Sequence, residues 1–108
     1  MIAFEVKLNG RRICIAGAED LCVLSATINA AGKLGVKTVP SRRNNGSARE
    51  VFYSVGGLTR RPDPTKDVHL RWKSVAPLRI GDRLVIKVLE VRKADRPKSR
   101  KKAERRRK

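Results

Sequence analysis

Gly17-Ala18-Glu19-Asp20-Leu21-Cys22-Val23-Leu24-Ser25-Ala26-Thr27-Ile28-Asn29-Ala30-Ala31 is the stretch on which the fold turns. As a helix starting near Glu19-Asp20, it places Leu21, Leu24, Ile28 and Ala31 on one stripe, with acids at the positive end of the helix dipole and Gly32 as a stop. As a strand, Val23, Ser25, Thr27 and Asn29 alternate with Cys22, Leu24, Ala26, Ile28 and Ala30. The alanines and the terminal glycine favour helix; the β-branched Val23, Thr27 and Ile28 favour strand. The helix is the preferred reading and makes the protein α+β, a small mixed sheet with one helix. The strand reading makes it all-β, a small antiparallel β-sandwich.

Upstream, Ile2-Ala3-Phe4-Glu5-Val6-Lys7-Leu8 carries large apolar residues at every second position, the period of a half-buried strand. Asn9-Gly10 suits the positive φ angles of a type I′ turn, and Arg11 to Ala16 returns with Ile13 and Ile15 apolar. A two-residue turn sets Leu8 opposite Arg11, Val6 opposite Ile13 and Phe4 opposite Ile15. The same register opposes Lys7 and Arg12 on the outer face, where the two either splay into solvent or form part of an anion-binding surface.

Downstream, Lys33 to Ala48 reads as a loop, with Gly35, Pro40 and Ser41-Arg42-Arg43-Asn44-Asn45-Gly46-Ser47. Glu50 to Val55 reads as a strand ending at Gly56-Gly57. Thr59 to Lys66 is a second basic loop containing Arg60-Arg61. In Asp67 to Lys73 the residues Val68, Leu70 and Trp72 point one way and His69, Arg71 and Lys73 the other. After Gly81-Asp82, the strand Arg83 to Val91 is apolar at nearly every position, which predicts a central strand covered on both faces.

Two segments resemble parts of the ubiquitin-like β-grasp superfamily. Met1 to Gly10 is similar to the first hairpin of ubiquitin, and Pro77-Leu78-Arg79-Ile80-Gly81-Asp82-Arg83-Leu84-Val85-Ile86 to the final turn and strand of the small sulfur-carrier proteins of thiamine and molybdopterin synthesis. The resemblance implies a β-grasp-like mixed sheet packed on one helix. It implies no carrier chemistry, because those proteins end in Gly-Gly, whereas this chain closes on Arg106-Arg107-Lys108 and its Gly56-Gly57 is internal.

Composition changes at Arg92. From there to Lys108, eleven Lys and Arg stand against two acids, and alanine and Pro97 are the only apolar residues. Such a segment cannot bury enough surface to offset its ordering entropy, so residues 92–108 are expected to be a disordered cationic tail behind one folded domain, residues 1–91. The chain carries a net charge of +17, of which +9 falls on the tail and +8 on the body. A body that is itself basic points to a polyanionic partner, nucleic acid (RNA or DNA) first and an acidic protein surface next. The opening residues have no basic start or long apolar run, and no segment reaches the roughly 18 apolar residues of a membrane span, so a cytoplasmic protein with reduced Cys14 and Cys22 is expected.

The inventory argues against an enzyme. His69 is the single histidine, no nucleophile and orienting carboxylate are set beside it, and the acids are scattered. One histidine and two cysteines are too few for a usual structural zinc site, and no glycine loop of nucleotide-binding type occurs, so neither a metal nor a cofactor is expected. The candidate binding residues are Lys7 and Arg12 on the hairpin, Arg42, Arg43, Arg60 and Arg61 in the loops, Arg71 and Lys73 on one strand, and Arg100, Lys101, Lys102, Arg105, Arg106 and Arg107 in the tail. Together they predict a positive track along a phosphate backbone. Aromatic residues are few, so base stacking is not expected to contribute. The competing reading is a protein-interaction module, or a small subunit of a larger complex, docking on an acidic partner.

Overall fold

Asn9 and Gly10 take φ angles of +53° and +82°, the left-handed pair of the type I′ turn that their sequence demands. They join β1 (Ile2–Leu8) to β2 (Arg11–Ala16). The computed structural model describes residues 1–39 and 49–103. Beyond this hairpin lie β3 (Leu21–Ala31), β4 (Glu50–Thr59), β5 (Val68–Pro77), β6 (Leu84–Glu90) and β7 (Ser99–Lys102). Two antiparallel sheets result, one in the order β2-β1-β6 and one in the order β3-β4-β5-β7.

The α+β expectation is therefore corrected. Among the described residues the sole helical element is a 3₁₀ turn at Pro64–Lys66, capped by the Asp63 carboxylate, and the β-grasp-like helix does not form. Residues 21–31 are a strand, paired with β4 from Leu21↔Thr59 to Ala31↔Glu50. Alternation outweighs the helical preference of alanine because Leu24 and Ala26 pack against the core on one side while Ser25 and Thr27 face outward. Asp20, expected to start a helix, instead accepts the Arg60 amide on its carbonyl and the Arg61 guanidinium on its carboxylate. Gly32, at φ +114°, ends the strand. Strand β4 does not stop at Gly56-Gly57 but runs through both glycines to Thr59.

The core is assembled from both sheets: Val6, Cys14 and Ala16 from one, and Val55, Leu70 and Trp72 from the other. The turn register holds for Leu8↔Arg11 and Lys7↔Arg12 but changes at a bulge, after which Val6 faces Cys14 and Phe4 faces Ala16. One extra residue moves the inward row from Ile13 and Ile15 to Cys14 and Ala16, which are buried where the isoleucines are half-exposed.

Two further expectations change. Strand β6 is not central. Among the described residues it lies at the edge of its sheet, bonded to β1 alone. The segment after Arg92 is not free through residue 103. The Asp95 amide donates to the Ile15 carbonyl (2.8 Å), its carboxylate accepts the Ile15 amide (2.8 Å), and its carbonyl accepts the Trp72 indole N–H (2.7 Å). Strand β7 then pairs with β5 from Arg71↔Ser99 to Val68↔Lys102. The composition argument failed here because the segment buries almost nothing of its own; it is ordered by backbone hydrogen bonds to edges and by one indole that needs an acceptor.

The two turns that carried the β-grasp resemblance touch each other. The Asn9 amide donates to the Arg83 carbonyl, and the Asn9 side chain bonds both the Asp82 carboxylate and the Arg83 amide. Asp82 also accepts the Arg79 amide at 2.7 Å, and these bonds hold its carboxyl below the usual range. No helix among the described residues is long and apolar enough to cross a membrane.

Removing the Asp95 carboxylate by Asp95→Ala is expected to cost about 1–2 kcal/mol, the worth of one bond to a charged group. A chain ending at Val91 should lose more and melt at least about 10 °C lower than the full chain, read by thermal denaturation. Equal midpoints would show that residues 92–103 contribute nothing to the fold.

Candidate nucleic-acid interface

The outer face of the four-stranded sheet is built from alternate residues of four strands. Ser25 lies opposite Gly56, Thr27 opposite Ser54, Gly56 opposite Arg71, Leu58 opposite His69, and His69 opposite Lys101. The middle of this face is a floor of small residues. Thr27 and Ser54 share a hydroxyl–hydroxyl bond of 3.0 Å. Gly56 is required by close approach, since a Cβ there would come within 2.9 Å of the Leu70 carbonyl oxygen.

Basic side chains rim that floor. A shallow recess of about 670 Å³ is lined by His69, Arg71, Arg100, Lys101 and Lys102 together with Ser74 and Ser99. A second, of about 330 Å³, continues over Ser25, Thr27, Ser54 and Gly56. No carboxylate lines either recess, and Arg71, Arg100, Lys101 and Lys102 form no ion pair among the described residues. The surface can therefore offer full cationic charge and hydroxyl donors to an anion.

The expected track is divided by this arrangement. The pairing of β7 with β5 sets Lys101 beside His69 and Ser99 beside Arg71 on this face, while Arg100 and Lys102, opposite the core-side Leu70 and Val68, line the larger recess from the edge of the sheet. Lys7 and Arg12 lie on the outer face of the other sheet, and both lean on Glu5 at 3.8 Å. Arg61 is committed to Asp20 at 2.9 Å and to the Lys66 carbonyl, which makes it a brace for its own loop. Arg60 is exposed beside it and lines neither recess. Arg42, Arg43, Arg105, Arg106 and Arg107 lie outside the described residues.

Lys73 also leaves the row. Between Gly56↔Arg71 and Val55↔Lys73 strand β5 carries one extra residue, Trp72, so Lys73 comes opposite core-facing Val55. It is half-buried and near enough to the Cys14 thiol to act on it. Burial, and then the Asp95 charge, push that thiol above its ordinary value, against the opposing pull of Lys98 and Lys73.

Sequence reasoning placed His69 outward beside Arg71 but did not single out Ser25, Thr27, Ser54, Gly56 or Ser99. The signal for Ser25 and Thr27 was the polar half of the Val23-Ser25-Thr27-Asn29 alternation, which the helix reading set aside. Among the described residues no group of three or more His, Cys, Asp or Glu side chains is placed to hold a metal ion. Comparison with protein-family models, curated proteins and solved structures gives no match, so the functional reading rests on the residues themselves.

Gly56→Ala should destabilise the protein by about 1–3 kcal/mol, because the neighbour that must yield is backbone. Chemical denaturation measures it, and a neutral outcome would mean that the strands can separate without cost. Thiol labelling at pH 8 should modify exposed Cys22 quickly and Cys14 only on unfolding, since the thiolate is the reactive form. Equal labelling of both in the native protein would contradict the buried position of Cys14.

Proposed function

We propose that this is a non-enzymatic nucleic-acid-binding protein that grips the phosphate backbone across the outer face of its four-stranded sheet. The observation that carries the reading is the strand register that sets Arg71 and Lys101 on one face beside a Gly/Ser/Thr floor, with Arg100 and Lys102 along the β7 edge of the same recess and no acid in its described lining. Phosphates would sit against the rim, and the hydroxyls of Ser25, Thr27 and Ser54 would take sugar or phosphate oxygens. Among the described residues no aromatic side chain lines the floor, which favours sequence-independent binding over base stacking. The remaining positive charge of the chain would act at longer range, speeding encounter and adding salt dependence without fixing register. Two free thiols accord with the reducing cytoplasm as the place of action.

Binding of the full chain to one duplex and one unstructured oligonucleotide, across a salt series near pH 8, tests the reading. Each neutralised phosphate releases condensed counterions, so these four cations should contribute about −3.6 to the log–log slope on duplex DNA and about −2.8 on a single strand. Arg71→Ser combined with Lys101→Ser should make the duplex slope shallower by about 1.8. Lys7→Ala with Arg12→Ala, on the opposite face, should leave it nearly unchanged. If the two double variants behave alike, binding is diffuse charge attraction and the sheet face is not the site.

A further inference from the structure

The pairing of β6 with β1 determines which way its backbone groups point. The Met1 amino group donates to the Val91 carbonyl and the Val91 amide to the Met1 carbonyl, and the Asn9 amide donates to the Arg83 carbonyl at the other end. Antiparallel bonds recur at every second residue, so Val85, Lys87 and Leu89 also turn their N–H and C=O groups toward β1. Leu84, Ile86, Val88 and Glu90 turn theirs the other way, where the sheet ends.

Two of the other edges are protected: that of β2 is bonded by Asp95, and β7 presents Ser99, Arg100, Lys101 and Lys102. Strand β3 is a second open edge among the described residues, but Ser25, Thr27 and Asn29 interrupt its apolar residues and no cation lies within it to select a partner by charge. Strand β6, Leu-Val-Ile-Lys-Val-Leu-Glu, has a single lysine among its apolar residues. Its side chains are open as well: Val88 is 68% exposed, Val85 44% and Ile86 39%, with Ile2 at 61% on the adjoining strand. A strand apolar on both faces normally lies inside a sheet. The Cα radius of gyration, 16.7 Å against about 13 Å for a compact domain of this length, fits a sheet whose inner face is only partly covered.

Charge selects the occupant. Arg83 flanks one end of the strand and Arg92 and Lys93 the other, all exposed and without an ion pair among the described residues. The acids nearby are engaged, Asp82 by Asn9 and Arg79, and Glu90 by the Met1 amino group at 3.8 Å. A second copy is disfavoured by charge: two chains of +17 repel, and the two-fold register that uses all four outward residues, pairing Leu84 with Glu90 and Ile86 with Val88, sets Lys87 against its own copy. We infer that β6 is a docking edge for an extended apolar segment, flanked by acidic residues, of another protein, which adds to the sheet as a further strand.

The probe is a synthetic peptide with a Val-Thr-Val-Thr-Val core and two glutamates on each flank, added to the full chain. Amide exchange of the Leu84, Ile86, Val88 and Glu90 N–H groups should slow by at least about tenfold, while Val85, Lys87 and Leu89 are protected from the start. The same core with lysine flanks, or with proline at its centre, should give no protection. Val88→Pro removes one outward N–H and leaves the bonds to β1 in place, so the thermal midpoint should hold within a few degrees while peptide protection is lost. Val88→Thr, which keeps that N–H, should retain protection. No protection by the acidic peptide, or equal protection by the lysine-flanked one, overturns the inference. Sedimentation of the protein alone provides the last arm: a concentration-dependent dimer that protects the same four amides would make a second copy the occupant and overturn the inference too.

Discussion

The two sheets meet through a small set of side chains, and they are held in relation to one another by a segment that touches both. Asp95 spends its amide and carboxylate on the exposed edge of β2 and its carbonyl on the Trp72 indole, which belongs to the opposite sheet. Without that carbonyl, the largest side chain of the core would hold a buried donor with no acceptor, a cost of about 1–3 kcal/mol. From this anchor the chain continues into Lys98, whose amide bonds the Arg71 carbonyl, and then into β7. The packing of the core and the assembly of the basic face thus depend on one stretch of polar sequence.

How much of this was legible in the sequence varied with the kind of force at work. Period-two patterning located β1, β2 and β5, and Asn9-Gly10 specified its turn, because these are local preferences written in adjacent residues. Residues 21–31 were misread because their helical stripe and their strand alternation are both real, and ten residues of pairing with β4 decide between them. The bulges opposite Val6 and Val55 were invisible for a related reason: they arise from the fit of two strands and leave no mark on either alone. The segment beyond Arg92 was misjudged on composition, which measures what a stretch can bury and not what it can cap.

The site was legible as charge and not as place. Counting basic residues gave Arg71, Arg100, Lys101 and Lys102 the same standing as Lys7, Arg12 and Arg61. Structure separates the two groups by what lies beside them, since Glu5 and Asp20 hold the second set while the first faces no acid. A cation near a carboxylate is partly neutralised before any ligand arrives, so the few unpaired cations on a face are more informative than the net charge of the chain.

The pairing of β1 with β6 has a consequence in time. Strand β1 finds its neighbour 76 to 88 residues later, from Leu8↔Leu84 to Ile2↔Glu90, and the Asp95 bonds to Ile15 reach further along the chain still. During synthesis the β1–β2 hairpin must therefore emerge before its partner and wait, its inner face unpaired, until residues 84–95 have left the ribosome. Topologies dominated by such distant contacts fold in milliseconds to seconds, slower than helical domains of the same size. For that interval Phe4, Val6 and the apolar run of β6 are open to wrong partners, and the dense positive charge of the chain is what keeps neighbouring copies apart while the sheet closes.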